Sequence, residues 1–465
     1  MILVFPYIIL SILISRTLIN ATIINISTIS ILAYWITYPI ERLEIKDMYQ
    51  TIYGIKDLGI IFYILFAFSF ILGLFLTSKI KIPRIKLYND LNKINYLFFI
   101  SIFLGIFGLI CFSYTYNFSI FEYFNIFFKN RVERMSVLSS AKNALPYSIS
   151  FIPSLTILIL LIKKLRFNFN LKQKIGISLI IFINSPILIS YLFEGDRTSL
   201  IKSIMVVLFI LSLKNKSFEE INKKERLIEN FKINKNVLFK RLKIIIALIL
   251  SFIIFTFIGL GRGNGWKNIS RVFKNFESQY KERKLPVAEF RSVNFTIDYA
   301  IARDHLTLDK IEKMFTWDRG IFYVLPTYVY KNIFNEKKPP NVGDAIGREV
   351  KNYLFGKEYP RKIGFGLSPI SEGYINNGLL GIFSIGFIYG SFVRILQNSY
   401  NKMAIESFNF FDHIVINSAC MIPLMMRAGT VGIYNWIFSI TFMSFIPILI
   451  IEFLRNLKSI QNFYV

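Results

Sequence analysis

Between Leu58 and Ser78 the chain runs 21 residues without one charged side chain, and ten further stretches are nearly as apolar. A bilayer core takes about 20 apolar residues per helix, because every backbone N–H and C=O inside it must be satisfied within the segment itself. The runs fall at about 2–15, 18–38, 58–78, 94–116, 147–162, 175–193, 198–213, 244–260, 372–393, 409–426 and 435–453. They predict an all-α, polytopic membrane protein with about eleven transmembrane helices. Arg16, Asn20 and Asn25 interrupt the first apolar stretch and divide it into two spans. No basic residue precedes that stretch and no small-x-small site follows it, so a cleaved leader is not expected.

The composition agrees. Of 465 residues 54% are hydrophobic and only 18% charged, too few charges to coat a soluble chain of this length. The net charge of +26 raises the question of nucleic acid. The basic residues, however, sit between apolar runs, where lipid headgroups meet them, so no nucleic-acid partner is expected. Cys111 and Cys420 both fall inside apolar segments, which excludes a disulfide framework and a cysteine zinc site. With His305 and His413 the only histidines, a three-histidine metal centre is excluded as well.

Orientation follows from Lys and Arg in the short connections. One set of connections carries 25 of them and the alternate set nine, so the first set is expected in the cytoplasm. This divides the chain into three parts. Residues 1–260 carry helices 1–8, with a basic cytoplasmic loop at about 214–243. Residues 261–371 form a large outer loop, and 372–465 carry helices 9–11 with a cytoplasmic C-terminus. The 214–243 loop reads as a solvated helix facing anionic headgroups. Phe118, Phe121, Phe124, Phe127 and Phe128 are spaced as one face of an interfacial helix. The outer loop is too long for a connector and too rich in aromatic and aliphatic residues for disorder, so it is expected to be partly helical. Its 20 basic and 12 acidic residues leave it net +8, which suggests an anionic ligand.

Ionisable residues at membrane depth are costly and mark function by default. Four groups of them gather at span ends expected on the outer face. These are Glu194-Gly195-Asp196-Arg197, Gly261-Arg262-Gly263, Arg427 before Gly429, and the re-entry from Gly366 to Gly378. In the re-entry, Ser368 before Pro369 is a helix start, with serine as cap and proline where its missing N–H costs nothing. Such a start offers free N–H groups and a positive dipole end to an anion. Glu372, one turn in, is a candidate base or a simple complement to that dipole. Ser371 and Tyr374 share the re-entry as candidate substrate contacts. Gly378, Gly381, Gly386 and Gly390 read as close helix packing.

Arginine suits a diphosphate because its fork binds two oxygens at once and stays charged. Arg197, in a connection of only a few residues, is the first candidate, followed by Arg303 and Arg427. Arg319 and Arg262 are further candidates, although an outer arginine such as Arg262 also serves as a snorkelling anchor. Asp304 and His305 follow Arg303 and add possible bases.

Taken together, Gly195-Asp196-Arg197-Thr198, Phe151-Ile152-Pro153, Ala302-Arg303-Asp304, Leu325-Pro326, Lys338-Pro339-Pro340, Gly366-Leu367-Ser368-Pro369 and Met426-Arg427-Ala428-Gly429 resemble the O-antigen polymerase (Wzy) class of oligosaccharide repeat-unit polymerases over roughly residues 90 to 450. The likeness to the enterobacterial common antigen polymerases is weaker. The resemblance implies a glycosyltransferase at the periplasmic face of the bacterial inner membrane. It would move a growing glycan from undecaprenyl diphosphate onto the terminal sugar of an incoming undecaprenyl-diphosphate-linked repeat unit. A chain-length regulator and a flippase are the implied protein partners. Because the donor is already activated, no cofactor is expected, and neither common Gly-rich phosphate loop is present. Arg197, Arg303 and Arg427 would stabilise the leaving diphosphate, and Glu372, Asp304 or His305 would take the acceptor proton. Two alternatives remain open from the residues. One is an O-antigen ligase-like transferase with the same donor. The other is a transporter or flippase of lipid-linked sugar, for which an inverted repeat and charges along a central path would be expected.

Overall fold

A computed structural model of the chain describes residues 22–44, 58–80, 94–115, 119, 148–165, 170–194, 197–213, 288–303, 322, 327–336, 367–405 and 408–461. Its regular structure is helical. In chain order the helices are α1 (Thr22–Glu44), α2 (Leu58–Leu76), α3 (Ile94–Thr115), α4 (Ser148–Lys164), α5 (Leu171–Glu194), α6 (Arg197–Ser212), α7 (Ala288–Arg303), α8 (Thr327–Phe334), α9 (Pro369–Tyr400), α10 (Phe410–Ala419) and α11 (Met425–Gln461). Among the described residues five helical stretches are long and apolar enough to cross a membrane: Leu58–Lys79, Ile94–Tyr114, Leu171–Tyr191, Pro369–Tyr400 and Gly432–Ile451. The spans expected at 2–15 and 244–260 lie outside the described residues. The stretch 409–426 is not one span. After α10 the chain turns at Cys420 and Met421 and makes a short 3-10 turn at Ile422–Leu424 before α11 begins.

The helices group into two compact units. In the first, the long limb of α9 packs along α2. Gly386 and Gly390 make this possible, because a Cβ on either would lie 2.0 Å from an α2 oxygen, Ser69 Oγ for Gly386 and Phe70 O for Gly390. Gln397 Oε1 accepts the Ile23 N–H at 2.7 Å and the Ile24 N–H at 3.3 Å, taking up donors that the start of α1 leaves without helical partners.

α7, from the long connection between residues 261 and 371, is buried in this same unit against α1, α2 and α9. Its polar side chains find partners there. The Tyr38 hydroxyl donates to the Asp298 carboxylate, and the Tyr63 hydroxyl donates to Asn294 Oδ1 at 2.7 Å. The two tyrosine rings lie 5.3 Å apart.

The second unit contains α3, α4, α5 and α6, together with α10 up to Asn417 and the C-terminal part of α11. Hydroxyls and an amide join its apolar helices. Ser154 Oγ donates to the Ser101 carbonyl at 2.8 Å, Ser101 Oγ donates to the Ser154 carbonyl at 3.1 Å, and Asn184 Nδ2 donates to Ser154 Oγ at 3.1 Å. Within the membrane such bonds take over the role that the hydrophobic effect plays in water. Lys163 Nζ donates to the carbonyls of Ile210, Leu211 and Leu213 at 2.6–2.8 Å. It thereby sets a cation on the negative end of α6. At the start of α10, Asn409 and Asp412 exchange backbone-to-side-chain bonds of 3.0 Å in a reciprocal capping arrangement.

Candidate functional site

The re-entry begins as the sequence predicts. Ser368 is extended (φ −74°, ψ 137°), its Oγ accepts the Ile370 N–H at 3.2 Å, and Pro369 opens the helix. Two turns later the helix breaks. Asn377 (φ −145°, ψ 30°) and Gly378 (φ 57°, ψ −140°) leave helical geometry, and the chain continues as the long limb of α9. The short limb folds back on the long one so tightly that a Cβ on Gly381 would lie 2.0 Å from the Gly373 carbonyl oxygen. Gly378 has nothing within 4 Å of a Cβ, so its role is the positive φ of the break and not the close packing expected from its spacing.

A second break faces the first. α11 is interrupted at Gly429 (φ 63°, ψ 172°), a backbone conformation that only glycine adopts without strain. Leu367 pairs with Ala428 in a parallel bridge. Two residues beyond the bridge on each strand a helical limb starts, at 369 and at 430. Two helix N-termini thus begin side by side, each with its positive dipole end. Glu372, 2% exposed, answers that field. Its Oε2 accepts the Thr430 N–H at 2.7 Å and sits where a Cβ on Gly429 would come within 2.9 Å.

α7 closes the other side. Thr296 Oγ1 accepts the Ser368 N–H at 3.3 Å and lies 3.1 Å from Ser371 Oγ, which itself donates to the Ser368 carbonyl at 2.8 Å. The anion-ready start expected at Ser368 is therefore enclosed by protein groups, with Ser368 and Ser371 fully buried. Tyr374 is half-buried, its ring 4.6 Å from that of Phe62. The Asn376 amide donates to the Glu372 carbonyl at 2.8 Å, fixing the last turn of the short limb. On the long limb, Tyr389 packs edge-on against Phe66, and its buried hydroxyl lies beside Glu372 and the Thr430 side chain.

Of the residues singled out in the sequence, Ser368, Ser371, Glu372 and Tyr374 share the short limb, and the Arg427-Ala428-Gly429 segment meets it through the bridge. Arg427 is half-buried in the first turn of α11. Arg303 ends α7 and Arg197 opens α6 in the other unit, and the side chains of both lie outside the described residues. Arg262, Asp304, His305 and Arg319 also lie outside them. Among the described residues no cluster of three His, Cys, Asp or Glu side chains is set to hold a metal.

Sequence reasoning missed Asn294, Thr296, Asp298, Tyr38, Tyr63, Tyr389 and Thr430. One signal was present: Asn294 and Asp298 stand four residues apart, on one face of a helix. Tyr389 and Thr430 carry no such mark, being single polar side chains inside apolar runs. No protein family, characterised protein or solved structure matches this chain.

Proposed function

We propose that the protein is a lipid-diphosphate-dependent glycosyltransferase that polymerises oligosaccharide repeat units carried on undecaprenyl diphosphate, working at the periplasmic face of the inner membrane. The observation that carries this reading is the pairing of Leu367 with Ala428. Two motifs of the resemblance, more than fifty residues apart in the chain, come together there around a buried carboxylate and two helix N-termini. That is the chemistry a diphosphate leaving group and an acceptor hydroxyl require.

In the reaction, the acceptor hydroxyl oxygen bonds to the anomeric carbon of the growing glycan. The bond from that carbon to the diphosphate breaks, and the diphosphate leaves with the electron pair. The acceptor proton passes to a carboxylate or imidazole, with Glu372, Asp304 and His305 the candidates. Arg197, Arg303 and Arg427, with Arg262 and Arg319 behind them, are the cations assigned to the diphosphate, and Ser368, Ser371 and Tyr374 the polar contacts at the re-entry. The proposed assembly partners are a chain-length regulator and a flippase.

Deletion of the gene followed by gel analysis of surface polysaccharide tests the reading. A single repeat unit on the lipid core is the expected result. Loss of every repeat would assign the protein to ligation or transport, and an unchanged ladder would overturn the proposal.

A further inference from the structure

Near the far end of α9 from the re-entry, Ser391, Arg394 and Asn398 stand at i, i+3 and i+7 and so share one face of the helix. That face lies along the end of α2 and the 3-10 turn Thr77–Lys79 that follows it. A Cβ on Gly73 would come within 2.9 Å of the Ser391 nitrogen, and Asn398 Nδ2 donates to the carbonyls of Ser78 and Ile80 at 3.5 and 3.3 Å. Lys79, between those two carbonyls in the chain, is exposed. Two donors on the shared face are unspent. Arg394 Nε and Ser391 Oγ are both enclosed and have no hydrogen-bond partner among the described residues. A helical serine that points inward ordinarily bonds the carbonyl one turn back, and Ser391 does not. Two carboxylates described in the same unit are engaged elsewhere, Asp298 by the Tyr38 hydroxyl and Glu372 by the Thr430 N–H. A snorkelling arginine buries its aliphatic stem and keeps its guanidinium in water. Arg394 is half-buried with its Nε shut in, where a charged N–H lacking an acceptor is costly.

We propose that Ser391 and Arg394, with Lys79 beside them, bind the phosphate of an anionic glycerophospholipid. The site is separate from the re-entry and does not depend on the reading of the protein as a transferase. Arg394 stands sixteen residues beyond the break at Gly378, about 24 Å along the helix at 1.5 Å per residue. That end adjoins the basic connection from Lys79 to Lys93, on the face expected to be cytoplasmic, where anionic lipids attract basic segments. A phosphodiester offers one negative charge and two free oxygens. One oxygen takes the fork of Arg394, the other accepts the Ser391 hydroxyl, and Lys79 adds a point charge. The exposed side chains of Phe75 and Leu76, in the last turn of α2, give the acyl chains an apolar surface to lie on. A polyprenyl diphosphate carries the same phosphate chemistry, but its proposed site is at the other end of α9.

The test uses the full-length protein in a zwitterionic detergent, with dioleoyl phosphatidylglycerol and dioleoyl phosphatidylcholine as probes and bound lipid counted by native mass spectrometry. The parent protein should hold phosphatidylglycerol the more tightly, by about fivefold or more. Arg394→Gln should weaken that binding about tenfold, and Arg394→Lys should restore it only in part, because a point charge leaves the place of Nε empty. Ser391→Ala should weaken it about threefold. Lys174→Gln, which removes an exposed cation from α5 in the other unit, should leave it within about twofold and so separates a site from the general attraction of a basic protein. Melting temperatures without lipid complete the test. Arg394→Gln removes an enclosed charge that lacks a partner and should melt no lower than the parent. A lower melting temperature would mean that the guanidinium already has a protein partner, and would overturn the site. Equal affinity for the two lipids, or phosphatidylglycerol binding indifferent to both Arg394→Gln and Ser391→Ala, would overturn it as well. Displacement of the lipid by equimolar farnesyl diphosphate would give the place to the other source of phosphate and remove the phospholipid.

Discussion

Glu372 Oε2 accepts the backbone N–H of Thr430 at 2.7 Å across 58 residues of chain. Glu372 therefore caps a helical limb other than its own. An acidic residue one turn into a helix ordinarily complements the dipole of that helix. Here the N-terminus of the short limb is already served by Ser368 Oγ and Thr296 Oγ1, and the carboxylate is directed to the neighbouring break. The bond requires Gly429, since any side chain there would meet both the carboxylate and Leu367.

Gly429→Ala should separate these two helix starts. The new methyl would be forced into a positive-φ conformation 2.9 Å from Glu372 Oε2 and 3.0 Å from Leu367 Cδ2. Strain of this kind costs on the order of 1–3 kcal/mol. A lower melting temperature in detergent, together with loss of polymer, is the expected result. Wild-type melting would mean that the break tolerates a side chain.

Topology is the second test. The excess of Lys and Arg in one set of connections requires reporters near Asn275 or Lys357 to be active only outside the cytoplasm, and one near Glu225 only inside. Labelling of residue 357 from the cytoplasm would reverse the orientation and move the proposed site to the wrong face.

Arg197 provides the third. If it binds the diphosphate, Arg197→Ala should abolish polymer while the protein still accumulates in the membrane. Arg197→Lys should rescue poorly, because a point charge does not reproduce the two-pronged contact. Losing such a contact is worth about 2.7–4 kcal/mol of transition-state stabilisation, a rate loss on the order of 10²–10³. Normal polymer from Arg197→Ala would leave this residue an anchor.

The helical class and the capped start at Ser368 were legible because each rests on local chemistry. Apolar length reads out the spans, and serine followed by proline reads out the cap. Close packing of α9 on another helix was legible from the spacing of Gly386 and Gly390, but not that the partner is α2. The two breaks were not legible, since a glycine in a span reads equally as packing. The burial of α7 was hidden for another reason. Its sequence mixes Asn294, Thr296 and Asp298 with aliphatic residues, which reads as a surface helix. The partners that make it an interior one, Tyr38 and Tyr63, lie 260 and 231 residues away in the chain. Contacts at that separation leave no periodic trace in a single sequence.

The last prediction separates the capping role of Glu372 from a chemical one. In Glu372→Gln the amide oxygen still accepts the Thr430 N–H, so both helix starts should form. If the carboxylate only balances the helix dipoles, the change should cost no more than about 1 kcal/mol of stability and leave polymer length nearly normal. If it takes the acceptor proton, turnover should fall by about 10²–10⁴, because an amide accepts no proton at neutral pH. Ser368→Ala is the control. It removes the acceptor of the Ile370 N–H, which should lower stability by about 1 kcal/mol without silencing the chemistry. The measurement is polymer formed per unit of folded protein, set beside the melting temperature of each variant. Near-wild-type turnover by Glu372→Gln would take Glu372 out of the reaction and pass the base to Asp304 or His305.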